Sequence, residues 1–171
     1  MDSQGQEIFD KYQPVKELSG YFDEPIKSVH AGKFHSLFVT ESGKLYGLGY
    51  NKYGQIGVSN ALYLHAEEPV EIFTDGLKIK EVSVGSHHTL LLSEDNRLYG
   101  FGARMLGQLD GQHLSGREEQ CSITQIELPN GNPRVTSIKA QNVKSQATTE
   151  DGQIWFWGGY FYDERSRPVK L

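Results

Sequence analysis

Two stretches of this sequence repeat each other closely. Residues 35–57 read HSLFVTESGKLYGLGYNKYGQIG, and residues 88–109 read HTLLLSEDNRLYGFGARMLGQL. The alignment extends without a gap over residues 26–57 and 79–110 at a constant offset of 53 residues. An internal period of this length is typical of proteins that stack copies of one supersecondary unit. The sequence therefore predicts a repeat architecture.

A weaker third copy follows 56 residues after the second. Its residues Val135, Ile138, Glu150, Ile154, Trp155 and Gly158 align with Ile79, Val82, Glu94, Leu98, Tyr99 and Gly102. In this copy Lys144 stands in place of His88, and Gln141 stands in place of Gly85. The Gly-Gln pair that closes the first two copies is missing. We therefore expect two similar units and a divergent third.

Proline-valine pairs mark the phase of the repeat. Pro14, Pro69 and Pro168 are each followed by valine and lie just before the position where a unit would open. These marks predict an N-terminal extension at residues 1–12 and one domain at residues 13–171. Within the domain the units cover approximately residues 14–68, 69–122 and 123–171.

The hydrophobic pattern of each unit predicts short antiparallel strands. Residues 36–40 and 89–93 are apolar runs of the length typical of buried strands, and residues 45–49 and 98–102 follow them. No segment of comparable strength has the period of a long amphipathic helix. The sequence therefore predicts an all-β fold.

Turn and glycine positions support the same interpretation. Residues 42–43, 95–96 and 151–152 contain Gly or Asn, which two-residue hairpin loops with a left-handed backbone favour. Paired glycines in the strands indicate a close approach to neighbouring backbone. The predicted structural repeat positions are Gly32, His35, Gly43, Gly47, Gly49, Gly54, Gln55, Gly85, His88, Asn96, Gly100, Gly102, Gly107, Gln108, Gly152 and Gly158.

Composition narrows the class of protein. A chain of 171 residues is long enough for one domain with a hydrophobic core. Its net charge of -5 disfavours binding to nucleic acid. The single cysteine, Cys121, excludes an internal disulfide and favours a reducing compartment. The N-terminus has neither a secretory signal nor a transit peptide, and no apolar run approaches the ~20 residues of a membrane span. We therefore expect an intracellular protein that is not secreted and has no membrane span; the compartment stays open.

The repeat resembles the regulator of chromosome condensation repeat family. Each of the first two copies carries the pattern G-x-x-H-[ST]-L, a turn, L-Y-G-x-G and then G-Q. The residues that carry the resemblance are Gly32, His35, Ser36, Leu37, Leu45, Tyr46, Gly49, Gly54, Gln55 and Gly57, and then Gly85, His88, Thr89, Leu90, Leu98, Tyr99, Gly102, Gly107 and Gln108. The match is specific in these two units and weaker in the third.

The resemblance implies a seven-bladed β-propeller with four strands per blade, in which one sequence repeat contributes strands to two adjacent blades. It also implies functions that are mostly protein binding. Members include a chromatin-bound exchange factor for the GTPase Ran, ciliary GTPase-linked scaffolds, giant ubiquitin ligases and a plant ultraviolet photoreceptor.

Three units cannot close a ring of seven blades. The expected fold class is therefore an all-β partial propeller of about three blades, an open arc rather than a closed ring. Such an arc has two sheet edges with unpaired backbone groups. Three explanations stay open: the chain is a piece of a longer gene product, it completes a ring with another polypeptide, or it is a reduced arc within an assembly.

The repeated histidines His35 and His88 have two interpretations. They could belong to a metal-dependent enzyme, or they could be structural residues whose ring nitrogens bond to strand backbone. Their equivalent positions in two separate units favour the structural role. The glycine-rich residues 47–54 lack the third glycine of a dinucleotide loop and the Lys-Ser/Thr of a phosphate loop. We expect no enzyme activity, no catalytic or metal-binding residues and no cofactor.

The expected function is a non-catalytic scaffold or structural subunit that binds protein. Its partner would cap the open sheet edges or complete the propeller. The alternative is a regulator of a small GTPase, of the guanine-nucleotide exchange type, which the resemblance to the exchange factor implies. Tyr160, Phe161 and Tyr162 are candidate partner contacts, because they follow the last predicted strand and aromatic residues are enriched at interfaces. Trp155 and Trp157 are expected in a core or a blade interface.

Overall fold

The computed structural model describes residues 18–110, 119–159 and 169–170, and these residues form three antiparallel sheets of four strands each. We call the sheets blades 1, 2 and 3 in chain order. Blade 1 contains β1 (Ile26–Ala31), β2 (His35–Thr40), β3 (Leu45–Tyr50) and β4 (His65–Ile72). Blade 2 contains β5 (Ile79–Val84), β6 (His88–Ser93), β7 (Leu98–Ala103) and β8 (Glu119–Gln125). Blade 3 contains β9 (Val135–Gln141), β10 (Lys144–Thr149), β11 (Ile154–Gly158) and β12 (Val169–Lys170).

Each blade is a meander in which every strand pairs with the next along the chain. The described ranges contain no α-helix, only a short 3-10 turn at Ser19–Tyr21, and no helix able to cross a membrane. Blade 2 packs between the other two blades, and the three sheets form an open arc. The predicted all-β, partial-propeller fold is therefore confirmed. The predicted unit boundary between residues 68 and 69 lies within β4, so the sequence unit and the blade are offset.

Two hydrophobic cores fill the two spaces between blades. Leu37, Val39 and Phe101 belong to the core between blades 1 and 2. Leu90 and Trp157 belong to the core between blades 2 and 3. Strand β6 is buried along its whole length, because alternate side chains face opposite neighbours. A strand buried on both faces needs a continuous apolar run, and this explains why the sequence shows Leu90-Leu91-Leu92 rather than an alternation.

The hairpin turns contain three residues rather than the two that the sequence predicts. In blade 1 the N–H of Gly43 donates to the carbonyl of Thr40 over 3.0 Å, and the N–H of Thr40 donates to the carbonyl of Lys44 over 3.0 Å. The left-handed residue is the last of the loop, with a φ of 89° at Gly43 and 63° at Asn96. This is a type I turn followed by a left-handed bulge residue, a common three-residue hairpin loop.

The glycines near the ends of β3 and β7 lie against the neighbouring strand. Gly102 has a φ of 111°, and a Cβ at this position would lie 2.5 Å from the carbonyl oxygen of His87. Gly49 has the same geometry, with a φ of 107° and a Cβ that would lie 2.7 Å from the oxygen of Phe34. A side chain at either position would therefore be strained and would also clash with backbone.

Candidate functional site

The repeated histidine of blade 1 joins blade 1 to blade 2. His35 Nε2 lies 2.9 Å from Thr89 Oγ1, which belongs to the next blade. The Thr89 hydroxyl in turn donates to the carbonyl of Gln55 over 3.0 Å. We call this histidine–hydroxyl–carbonyl arrangement a latch. It crosses the interface twice, because Gln55 lies in the loop between β3 and β4 of blade 1.

A second latch joins blade 2 to blade 3. His88 Nε2 lies 2.9 Å from Ser145 Oγ, and this hydroxyl donates to the carbonyl of Gln108 over 2.5 Å. His88, Ser145 and Gln108 are all buried. The repeated histidines and glutamines of the sequence therefore meet the hydroxyl residue that follows the histidine position of the next unit.

The chemistry of the hydroxyl sets the tautomer of each histidine. Thr89 has one hydroxyl proton, and that proton goes to the carbonyl of Gln55. The hydroxyl must therefore accept from His35, which assigns the imidazole proton to Nε2. The same argument assigns the proton of His88, whose partner Ser145 donates to Gln108.

Burial keeps both imidazoles neutral. Loss of solvation lowers the pKa of His35 from 6.5 to about 3 and the pKa of His88 from 6.5 to about 4. The sequence predicted that these rings bond to strand backbone. Nε2 of each ring bonds to a side-chain hydroxyl of the next blade, and the backbone of Ser86 and of Lys144 also acts on His35 and His88, respectively.

The glutamine side chains hold the Gly-Gln turns that present these carbonyls. Gln55 Oε1 accepts from the backbone N–H of Tyr53 over 2.9 Å, and Gln108 Oε1 accepts from the N–H of Leu106 over 2.7 Å. Gly54 and Gly107 supply positive φ values of 74° and 67° within the turns. The Gly-Gln element is therefore part of the interface between blades.

The described residues contain no group of three His, Cys, Asp or Glu side chains able to hold a metal ion. His35 and His88 lie in different interfaces, and their hydrogen bonds hold blades together. Both tryptophans lie in the core between blades 2 and 3, where Trp157 Nε1 donates to the carbonyl of Leu109 over 3.1 Å. Tyr160, Phe161 and Tyr162 lie outside the described residues, and their role stays a prediction.

Blade 3 has a polar outward face, on the side opposite blade 2. Lys139, Gln146 and Phe156 lie in register across β9, β10 and β11 on this side. With Gln141 and Lys144 they line a shallow pocket of about 390 Å³. The Lys144 ammonium lies 5.6 Å from the centre of the Phe156 ring. The sequence revealed the changes at Gln141 and Lys144, but the composition of the whole face appears only when the strands are placed in register.

Residues 18–25 cover part of the outward face of blade 1. The Phe22 ring packs against Phe38 and Tyr46, with ring centres 5.3 and 5.1 Å apart. A hydrogen bond from Lys44 lowers the pKa of the Asp23 carboxyl, which lies 2.5 Å from its ammonium. Sequence reasoning missed this cover, because Phe22 and Asp23 align with Asp75 and Gly76 in the second unit, so no shared motif marks it.

The regulator of chromosome condensation (RCC1) repeat matches this chain at residues 26–55 and again at residues 42–92. The Arabidopsis thaliana ultraviolet-B receptor UVR8 is 41% identical over 96 residues, which make up 56% of this chain and 21% of the receptor. The Bos taurus secretion-regulating guanine nucleotide exchange factor is 35% identical over 139 residues, 78% of this chain and 28% of that protein. This chain thus spans less than a third of either relative.

Solved structures have the same fold. Yeast RCC1 (Prp20), solved with Kap60, matches with a TM-score of 0.72 and 25% identity over 85% of this chain and 36% of that one. Human WBSCR16 matches with a TM-score of 0.74 and 22% identity over 88% of this chain and 38% of that one, which supports the fold alone. The repeat matches, the relatives and the solved structures all point to the same repeat family. The chain therefore belongs to the regulator of chromosome condensation repeat proteins.

Proposed function

We propose that this chain is a non-catalytic scaffold that binds other proteins through the end faces of its arc. The observation that carries the proposal is the outward face of blade 3. At this face the small, apolar and histidine residues of an internal interface are replaced by Lys139, Gln141, Lys144 and Gln146. Non-obligate protein interfaces are about as polar as the rest of a protein surface. Such a face is suited to a partner protein rather than to another blade of the same kind.

The state of the histidines supports a role without catalysis. His35 and His88 are buried and neutral, and the Nε2 of each is held by a hydroxyl of the next blade. A general base or a metal ligand needs a ring nitrogen that a substrate or an ion can reach. Within the described ranges, the repeated titratable residues therefore stabilise the interfaces between blades. The single cysteine of the chain supports an intracellular location as part of the same proposal.

Quantitative affinity capture with the purified full-length chain tests this function. The end-face variant carries Gln141→Glu and Gln146→Glu, and the matched control carries Glu94→Gln, an exposed change in a hairpin turn of blade 2. We expect a reproducible set of proteins that the wild type and the control retain and the end-face variant loses. A chain that remains a monomer and retains no protein in any form would contradict the proposal.

A second candidate is regulation of a small GTPase. It is favoured by the 35% identity to a secretion-regulating guanine nucleotide exchange factor and by the fold shared with yeast Prp20p, whose structure was reported with its binding properties to Gsp1p and histones. The test is release of a fluorescent guanine nucleotide from Gsp1p, measured with and without this chain. A rate that rises in proportion to the concentration of the chain would support exchange activity, and an unchanged rate would count against it.

A further inference from the structure

The outer rim between blades 1 and 2 exposes a group of large apolar side chains. Phe73 is 79% exposed, Leu62 77%, Leu64 64% and Tyr63 41%. Leu62, Tyr63 and Phe73 line one groove with a volume of about 750 Å³, which we call the rim groove. Single exposed apolar residues need no explanation, but several around one concave surface indicate an interaction site.

The walls of the rim groove are fixed by the core beneath it. Val58 of blade 1 and Tyr99 and Ile123 of blade 2 line the groove and also pack against the core between these blades. Each of these three side chains therefore packs on the core with one side and lines the groove with the other. The walls of the groove are therefore ordered before a ligand arrives. Binding then loses less conformational entropy than it would at a mobile surface.

The charge of the rim groove selects the kind of ligand. Asp75 lines it, and the described lining residues include no lysine or arginine. Glu71 lies at its edge, but its side chain is on the opposite face of β4, in register with Tyr46 and close to Lys44. We propose that the rim groove binds a segment of a partner protein that carries two or more large apolar side chains next to Lys or Arg. The apolar side chains would contact Leu62 and Phe73, and a cation would lie near the Asp75 carboxylate. This inference rests on the proposed scaffold function and adds the chemistry of one partner.

A second copy of this chain is a poorer occupant on electrostatic grounds. A symmetric contact through the rim groove would bring Asp75 of one copy towards the same residue of the other. Like charges in an interface disfavour association. The net charge of -5 for each chain adds to the repulsion. A basic partner segment avoids both costs.

Cys121 provides a direct readout of the rim groove. It is the only cysteine in the sequence, it is partly exposed, and it lines this groove. The full-length chain is mixed with a 12-residue peptide in which Leu and Phe alternate with Lys and Arg, and the rate of thiol modification by a disulfide reagent is followed. We expect saturating peptide to slow the reaction at least fivefold. Unchanged rates with bound peptide would overturn the proposal.

Two variants and two peptides separate the apolar and charged contributions. Phe73→Ser should weaken binding of the basic peptide at least fivefold. Asp75→Asn should also weaken it and should reduce the preference for this peptide over one with Glu in place of Lys and Arg. Val29→Ser is the matched control, because Val29 is 56% exposed on blade 1 and does not line the groove. Equal binding of the two peptides to the wild type would overturn the proposal.

Sedimentation and the end-face variant distinguish the remaining outcomes. A dimer that Phe73→Ser dissociates would assign the rim groove to self-association and overturn the proposal. If the peptides fail to bind while affinity capture still depends on Gln141 and Gln146, the rim-groove inference is wrong and the scaffold function stands. If the peptides do not bind and affinity capture does not depend on Gln141 and Gln146, both proposals are wrong.

Discussion

The outward faces of blades 2 and 3 use the same backbone positions with opposite chemistry. In blade 2, Leu90 lies in register with Ser83 and Gly100, and Leu90 is fully buried against blade 3. In blade 3 the corresponding Gln146 lies in register with Lys139 and Phe156. Both β-sheets are four-stranded antiparallel meanders. The difference indicates that a few side chains set the chemistry that a propeller blade presents on its outward face.

The largest expected effect comes from placing lysine, the residue at position 144 of blade 3, at the equivalent position 88 between blades 2 and 3. His88→Lys would place an ammonium at the latch between blades 2 and 3, where the site is fully buried and no carboxylate is part of the latch. An uncompensated buried charge destabilises by about 3–5 kcal/mol. Urea denaturation should show this loss. The reciprocal Lys144→His on the exposed face of blade 3 is the matched control, and its free energy of unfolding should change by less than about 0.5 kcal/mol.

Acidification should also destabilise the internal interfaces, because it favours a positive charge on the buried histidines. The folded-state pKa values of His35 and His88 are about 3 and about 4, below the value of 6.5 in the unfolded chain. The unfolded state therefore binds more protons below pH 6.5, and stability falls as the pH drops from 6.5 towards these folded values. At pH 5 each histidine should cost about 2 kcal/mol relative to pH 7.5.

Thermal unfolding between pH 7.5 and 5 measures this dependence. His88→Gln should be less stable at pH 7.5, but it should lose less stability on acidification, because one of the buried histidines with a lowered pKa is removed. Lys144→Gln on blade 3 should leave the pH dependence unchanged. An identical slope for the wild type and His88→Gln would show that the latch does not control acid stability.

The outward faces of blades 2 and 3 differ in the space available at one position, which Gly100 occupies in blade 2 and Phe156 occupies in blade 3. A Cβ on Gly100 would lie 2.6 Å from Leu109 Cδ1 and 2.8 Å from the carbonyl oxygen of Thr89. Gly100→Ala should therefore cost about 1–3 kcal/mol through overpacking. Phe156→Ala at the matching position of blade 3 creates no such overlap. A melting temperature for Gly100→Ala equal to that of the wild type would indicate that the interface can expand.

The strands of blades 1 and 2 were predictable because local pattern controls them. Apolar runs, glycine spacing and turn residues set where a strand starts and ends, and these signals lie within about ten residues of each other. The latch was not predictable in the same way. His35 and Thr89 are 54 positions apart, and only packing brings them together. The sequence did contain one signal for the latch. A residue with a hydroxyl group follows the histidine position in every unit: Ser36, Thr89 and Ser145.

Blade 3 shows why the remaining features could not be predicted. Its divergence is visible in the sequence as separate substitutions, whose meaning depends on which side of the sheet each occupies. Register places Lys139, Gln146 and Phe156 together, whereas Ala147 and Trp155 face the core. The rim groove likewise combines the loop before β4 with β8, and nothing in the sequence indicates that these segments lie near one another.

The smallest expected effect on stability comes from giving blade 3 an internal type of face. Gln146→Leu with Thr148→Leu restores the residue types of Leu90 and Leu92, and both positions are half-buried in blade 3. The free energy of unfolding should change by about 0.5 kcal/mol or less, because among the described residues no further blade packs on this face to bury the new side chains. Self-association should rise instead, since an exposed apolar face favours contact between copies. Analytical ultracentrifugation at several concentrations measures this directly. The same pair of changes to Ser keeps the face polar and should leave the chain's association state unchanged, so association of both variants would mean that the polarity of this face is not what keeps copies apart.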